Sequence, residues 1–186
     1  MIKSLIFFFI LFNFFLANAS PNIDIVKNFK KINSLKFNFV QKIDNNNIEK
    51  GECIILYPKK IFCKYDDFHN KILVSNGKSL IINADNINNY IRYSLEKTPL
   101  NLILDKNYII SKINDLKEDQ NYPFYYVFDV EYENASIKVF FDKKNLDLIG
   151  WETRDIYQNI MQTFISDIKK NISVDNKIFV IQKYIN

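Results

Sequence analysis

The chain has 186 residues and a formal net charge of +4 at pH 7, from 25 basic and 21 acidic side chains. That length suits one domain with a single core, and so small and scattered a charge lacks the basic footprint of a nucleic-acid binder. A single histidine, His69, leaves almost no material for a histidine-containing catalytic triad or a multi-histidine zinc site.

The first twenty residues, MIKSLIFFFILFNFFLANAS, place Lys3 ahead of an apolar run from Leu5 to Leu16 and end on Ala17-Asn18-Ala19. This is the grammar of a cleaved secretory signal, and its apolar core falls short of the roughly 20 residues that span a membrane. Cleavage is expected after Ala19, which makes 1–19 a signal peptide and 20–186 a single domain. Ser20, rather than a lipid-bearing cysteine, would then head an exported, soluble and unanchored chain. In such a chain the two cysteines are free to form a disulfide.

In NIDIVKNFKKIN, residues 22–33, Ile25, Phe29 and Ile32 recur at helical steps between lysines, which predicts a short amphipathic helix. Leu35, Phe37 and Phe39 then alternate with Lys36 and Asn38 in the period of a half-buried strand. Gly51–Tyr57 and Lys60–Asp66 form a hairpin about Pro58-Lys59-Lys60. Asn76-Gly77 joins strands 71–75 and 79–84, and its two central residues suit the positive φ of a type I′ turn. A strand over 88–94 follows. Thr98 as N-cap, Pro99 at the first helical position and the leucines after it predict a short helix. Residues 105–121 are ambiguous, with a strand and a charged loop the nearest reading. Segments 122–131, 136–142, 146–154, 158–167 and 177–183 read as five further strands.

The count is about eleven antiparallel strands with two or three helices. A sheet that long twists and curls, and 17 Phe with 11 Tyr would line its concave side with bulky apolar walls. Helices too few to coat both faces would plug the hollow. The expected fold is therefore mainly β: an incomplete, unclosed antiparallel β-barrel with an α-helical lid.

Six short motifs stand in register over residues 22 to 182: Phe39-Val40-Gln41, Gly51, Tyr57-Pro58, Val74-Ser75-Asn76-Gly77-Lys78, Thr98-Pro99-Leu100, and Trp151 followed by Asp155. Together they resemble the periplasmic outer-membrane lipoprotein carrier proteins of Gram-negative bacteria, the LolA type. The resemblance implies an unclosed eleven-stranded barrel with a helical lid and no enzymatic activity or cofactor. It also implies a periplasmic carrier that accepts acylated lipoproteins from an inner-membrane ABC exporter and passes them to an outer-membrane acceptor. Two departures stand out: Tyr57 occupies the place of an arginine implicated in latching the lid, and Tyr157 that of a glycine.

Under that reading, strand parity selects the cavity wall. Leu35, Phe37 and Phe39 share one face, as do Ile55 and Tyr57 with Cys53, and Ile61 and Tyr65 with Cys63. Pro99, Leu100, Ile103 and Leu104 form the lid, with its leucines and isoleucine pointing into the hollow. Cys53 and Cys63 lie equidistant from Pro58, facing each other across the hairpin either as a disulfide or as two small buried thiols. Ile54, Leu56 and Phe62, on the opposite face, need cover from a loop, the N-terminal helix or a partner. Arg92, one of two arginines, is either a substitute lid latch or a solvent-facing residue. Asp66, Asp67 and Asp85 read as turn carboxylates rather than calcium ligands. The expected protein is a monomer. Other readings are a different periplasmic lipid-binding module, an outer-membrane lipoprotein acceptor of the same fold, and a hydrolase of envelope lipids, which would lack a nucleophile and base.

Overall fold

The computed structural model describes residues 21–43, 47–119, 121–132, 135–154 and 158–185. Alternating apolar and polar residues make the strands, and long hairpins stitch them into one antiparallel sheet. Its elements are β1 (Ser34–Ile43), β2 (Asn47–Leu56), β3 (Lys60–Tyr65), β4 (Ile72–Asn76), β5 (Ser79–Asn83), β6 (Ile91–Ser94), β7 (Tyr125–Tyr132), β8 (Ala135–Asp142), β9 (Leu148–Arg154) and β10 (Ile160–Lys170). The order across the sheet is β6-β5-β4-β3-β2-β1-β10-β9-β8-β7. β10 closes back onto β1, with Leu35 opposite Lys170 and Ile43 opposite Met161. β6 and β7 are left as unpaired edges, so the sheet is an unclosed barrel.

Three helices occupy the concave side: α1 (Pro21–Lys30), α2 (Leu100–Leu104) and α3 (Lys106–Ile113). α1 buries Ile25, Val26 and Phe29, the apolar stripe that its spacing predicts. Phe29 meets Tyr57 edge-on at 5.9 Å and Phe141 at 5.7 Å, and so ties the β2–β3 side of the sheet to the β8 side. The main core runs between this inner face and the helices. No helix among the described residues is long and apolar enough to cross a membrane.

Several expectations need correction. Residues 105–121 hold a helix, α3, rather than a strand: Asp105 accepts a hydrogen bond from the Tyr108 amide at 3.1 Å, and Ile109, Ile110 and Ile113 face inward. Segment 177–183 is not the eleventh strand but two 3-10 turns, Asn176–Phe179 and Ile181–Tyr184, the first capped by the Asp175 carboxylate. The described residues therefore contain ten strands. Thr98 does not cap α2, because its hydroxyl donates back to the Leu95 carbonyl at 2.8 Å. The β4–β5 turn is centred on Gly77-Lys78, one residue later than expected. Only Gly77 there has positive φ, +97°, a sign pattern of type II′ rather than I′.

The outward face of β3, β4 and β5, Phe62 included, is covered by the segment that holds the two 3-10 turns, whereas no such cover is seen over Ile54 and Leu56 of β2 among the described residues. Tyr184 packs on Phe62 at 5.6 Å, and Ile181 is buried with Val74 and Ile81. The Asn83 amide donates to the Tyr184 carbonyl at 2.7 Å, fixing the segment on the sheet.

Candidate functional site

Six of the seven predicted wall residues fall on the inner face in three ladder rows. Leu35 pairs with Ile55, which pairs with Ile61; Phe37 pairs with Cys53 and that with Cys63; Phe39 pairs with Gly51 and that with Tyr65. Leu35, Phe37, Phe39, Ile55, Ile61 and Tyr65 are buried in the main core. Tyr57 is half-buried at the rim and packs against it.

The rows depend on one small residue. A Cβ on Gly51 would stand 2.2 Å from the Lys64 carbonyl oxygen and 2.9 Å from the Phe39 ring, so the sheet closes tightly here only because the position is glycine. The Phe39 and Tyr65 rings meet edge-on at 5.1 Å across that gap. Gly51→Ala pits a methyl against backbone atoms that cannot swing aside, and is expected to destabilise the fold by about 2–3 kcal/mol in urea unfolding. An unchanged midpoint would show that the sheet has slack at this point.

Cys53 and Cys63, directly opposed in register with Cα atoms 4.1 Å apart, are joined by an S–S bond of 2.00 Å on the inner face. A bridge closing so short a loop is worth about 3 kcal/mol by chain entropy. Reduction is expected to lower stability by about that amount, while alkylation of both thiols in unreduced protein would contradict the bridge.

The lid is larger than predicted. Leu100 is half-buried, whereas Asn101, Leu102, Ile103 and Leu104 are buried, and Pro99 leads into the helix half-exposed. Leu102 is buried beside the predicted lid residues, and α3, which follows α2 directly, was not foreseen as a helix. Between Leu100 and the walls lies a cavity of about 60 Å³, bordered by Phe37, Phe39, Ile61, Leu73, Trp151 and the disulfide. That is room for a few water molecules, far less than an acyl chain occupies. A long apolar ligand would enter this particular space only if the helices moved.

Few polar contacts hold the lid. The Lys59 amide donates to the Leu104 carbonyl at 3.0 Å, and the Lys59 ammonium lies 3.4 Å from Asp105. Lys106 donates to the carbonyl of Lys30 at 3.1 Å and to that of Ile32, with its ammonium 5.5 Å from the Tyr57 ring centroid. Burial holds the Lys106 pKa below its ordinary value. Asn22 donates to the Ile113 and Leu116 carbonyls at 2.6 and 2.8 Å, joining α1 to the end of α3. Tyr57 replaces none of a guanidinium's bonds: among the described residues its enclosed hydroxyl oxygen has no partner, and neither has Oδ1 of Asn101. A partnerless buried polar group costs about 1–3 kcal/mol, which weakens the closed state.

Arg92 does not latch the lid. It is exposed and donates to the Ser79 hydroxyl at 2.9 and 3.2 Å, and it pairs with Ile81, which belongs to the outward cluster. His69, Asp66, Asp67 and Asp85 are exposed; the Asp67 carboxylate accepts the His69 and Lys71 amides, as a turn carboxylate does. Tyr157, Asp155 and residues 1–20 lie outside the described residues.

Two wall phenols give the site a pH signature. Burial pushes the Tyr57 hydroxyl well above its ordinary pKa; at Tyr65 burial acts first, then the Glu49 and Asp67 carboxylates. A phenol whose folded pKa exceeds its unfolded value contributes stability that is complete below about pH 10 and lost as pH rises beyond it. Alkaline unfolding is therefore expected above about pH 10, and Tyr65→Phe should flatten that fall. Ultraviolet titration should leave these two phenols un-ionised until unfolding; smooth ionisation of every tyrosine near pH 10 in the folded protein would contradict their burial.

The sequence profile described as outer membrane lipoprotein carrier protein LolA matches residues 30–182. Among solved structures, a putative outer membrane lipoprotein-sorting protein domain from Vibrio parahaemolyticus is similar at 10% identity and a TM-score of 0.50, over 87% of this chain and 97% of that one. A LolA superfamily protein from Nitrosomonas europaea is similar at 12% identity and a TM-score of 0.49, over 89% of this chain and 100% of that one. A search of curated proteins returns no match. With a profile match over most of its length, the chain belongs to the outer membrane lipoprotein carrier protein LolA family.

Proposed function

We propose that the protein is a soluble periplasmic carrier for the acyl chains of lipoproteins. It takes them from an inner-membrane ABC exporter and delivers them to an acceptor at the outer membrane, working as a monomer and making or breaking no covalent bond. The observation that carries this reading is a continuous apolar inner face closed by short helices whose direct polar ties to the sheet are few.

Energetics favour exchange rather than permanent filling. Each methylene withdrawn from water contributes about 0.8 kcal/mol, so a long acyl chain gains on the order of 10 kcal/mol by burial. Swinging α2 away would expose Leu102, Ile103 and Leu104, at about 1.5–3 kcal/mol each. The two quantities are of similar size, as a carrier that must also release its load requires. Lid side chains fill the trough when it is empty, and the acyl chains replace them when it is loaded. Leu35, Phe37, Phe39, Ile55, Tyr57, Ile61 and Tyr65 form the wall in contact with the chains.

Purified protein mixed with a triacylated lipoprotein should yield a stable, detergent-free one-to-one complex with intact lipid by mass spectrometry. Cleaved acyl chains, or a lipoprotein that stays aggregated, would refute the proposal.

A further inference from the structure

The turn Ser75-Asn76-Gly77-Lys78 carries chemistry that the carrier reading does not use. The chain has three glycines, and Gly77 is the one that follows an asparagine. A residue without a side chain leaves its amide nitrogen free to close a succinimide ring on the Cγ of the asparagine before it.

The hairpin supplies the parts of that reaction. Asn76 is exposed at the end of β4, so water and hydroxide reach it. Its Oδ1 accepts from the Lys78 and Ser79 amides, each at 3.0 Å. Two N–H donors on a carbonyl oxygen stabilise the negative charge it gains when a nucleophile adds to the carbon. The nucleophile is the Gly77 nitrogen, whose N–H donates to Ser75 Oγ at 3.1 Å and is thereby held in place beside Asn76. Ser75 is fully buried, and its hydroxyl donates in turn to the Lys59 carbonyl at 3.0 Å. Lys60 faces Asn76 across the β3–β4 register, so a carboxylate formed at position 76 meets a cation.

We infer that Asn76-Gly77 is a site of spontaneous deamidation. Hydroxide takes the Gly77 amide proton, the nitrogen bonds to Asn76 Cγ, and the Cγ–Nδ2 bond breaks. Nδ2 takes a proton from water and leaves as ammonia, which regenerates the hydroxide. Water then opens the succinimide, to aspartate at one carbonyl or to isoaspartate at the other. Isoaspartate runs the backbone through its β-carbon and lengthens the turn by a methylene, which moves the Gly77 amide off Ser75 Oγ. Ser75 is what ties this turn to the Lys59 carbonyl, and the Lys59 amide holds the Leu104 carbonyl at the end of α2. The modification therefore loosens the join between the β2–β3 turn and the lid.

The test incubates folded wild type, Ser75→Ala and Asn76→Gln for days at mildly alkaline pH, beside free peptides spanning residues 71–83 with and without Ser75→Ala. Mass-spectrometric mapping follows conversion, and electron-transfer fragmentation tells isoaspartate from aspartate. Asn76 of the folded protein should convert ahead of every other asparagine, no more slowly than in the wild-type peptide, and faster as pH rises. Ser75→Ala should cut the folded rate about fivefold, the worth of one neutral hydrogen bond, and leave the peptide rate unchanged. Hydrogen exchange at the Lys59 amide should quicken in aged wild type, whereas Asn76→Gln aged alongside keeps its protection. Asn76 that stays intact in the folded protein while the peptide converts overturns the inference, as does a folded Ser75→Ala that converts as fast as wild type. The comparison of wild type with peptide decides the matter even where Ser75→Ala does not fold. Conversion that leaves Lys59 exchange unchanged overturns the link to the lid.

Discussion

A double variant, Lys59→Cys with Asp105→Cys, joined by a short bismaleimide, is expected to lose lipoprotein binding by on the order of a hundredfold. The two positions flank the seam where the Lys59 amide meets the Leu104 carbonyl, and their native side chains already approach to 3.4 Å. Cys53 and Cys63 are joined to each other, so the introduced thiols alone should react. The expectation follows from volume. A cavity of about 60 Å³ cannot admit an acyl chain, and apparent affinity scales with the fraction of molecules whose lid is open. The same double variant before cross-linking supplies the reference. Equal binding before and after would mean that chains enter elsewhere, for instance between the edge strands β6 and β7.

Phe29→Ala is expected to cost about 3–5 kcal/mol in denaturant unfolding. Phe29 is 1% exposed and wedges α1 between Tyr57 on one half of the sheet and Phe141 on the other. Its removal leaves a void bordered by two rings that sit on separate strands and cannot close together without moving the sheet. A loss below about 1 kcal/mol would mean that α1 is not a fixed part of the core.

The strands were legible because period-two alternation needs only local sequence. The β2–β3 hairpin also announced its inner face, since Cys53, Ile55, Ile61 and Tyr65 keep parity about Pro58. The far half of the trough was harder to read. Phe140 and Phe141 are adjacent and both buried, on opposite faces. Phe140 stacks on Phe164 at 5.4 Å outside, over Gly150, while Phe141 meets Phe29 and Phe128 inside. Where both faces are apolar, parity cannot say which is the hollow. This is why Phe128, Val130, Val139 and Phe141 escaped the predicted wall although they share its core.

The helix α3 was missed for a different reason. Ile109 and Ile110 are β-branched neighbours that read as strand, and the one strong helical signal was the Asp105 carboxylate capping the Tyr108 amide. At the C-terminus, Phe179, Ile181 and Tyr184 carry enough apolar character for a strand, but they fold as 3-10 turns because an apolar outer face on β3, β4 and β5 awaits them. Only tertiary packing decides that segment. The departure at Tyr57 was visible from sequence, whereas the isolation of its hydroxyl depends on what surrounds the rim.

The most direct measurement of the central claim is photolabelling by a lipoprotein whose acyl chains carry a mid-chain diazirine, followed by peptide mapping of the cross-links. Labels are expected on the inner-face residues Phe37, Phe39, Ile55 and Ile61 and on the trough side of α2. Labels confined to outward residues such as Val40, Phe124 and Phe164 would mean that the chains ride on the surface and that the trough never opens.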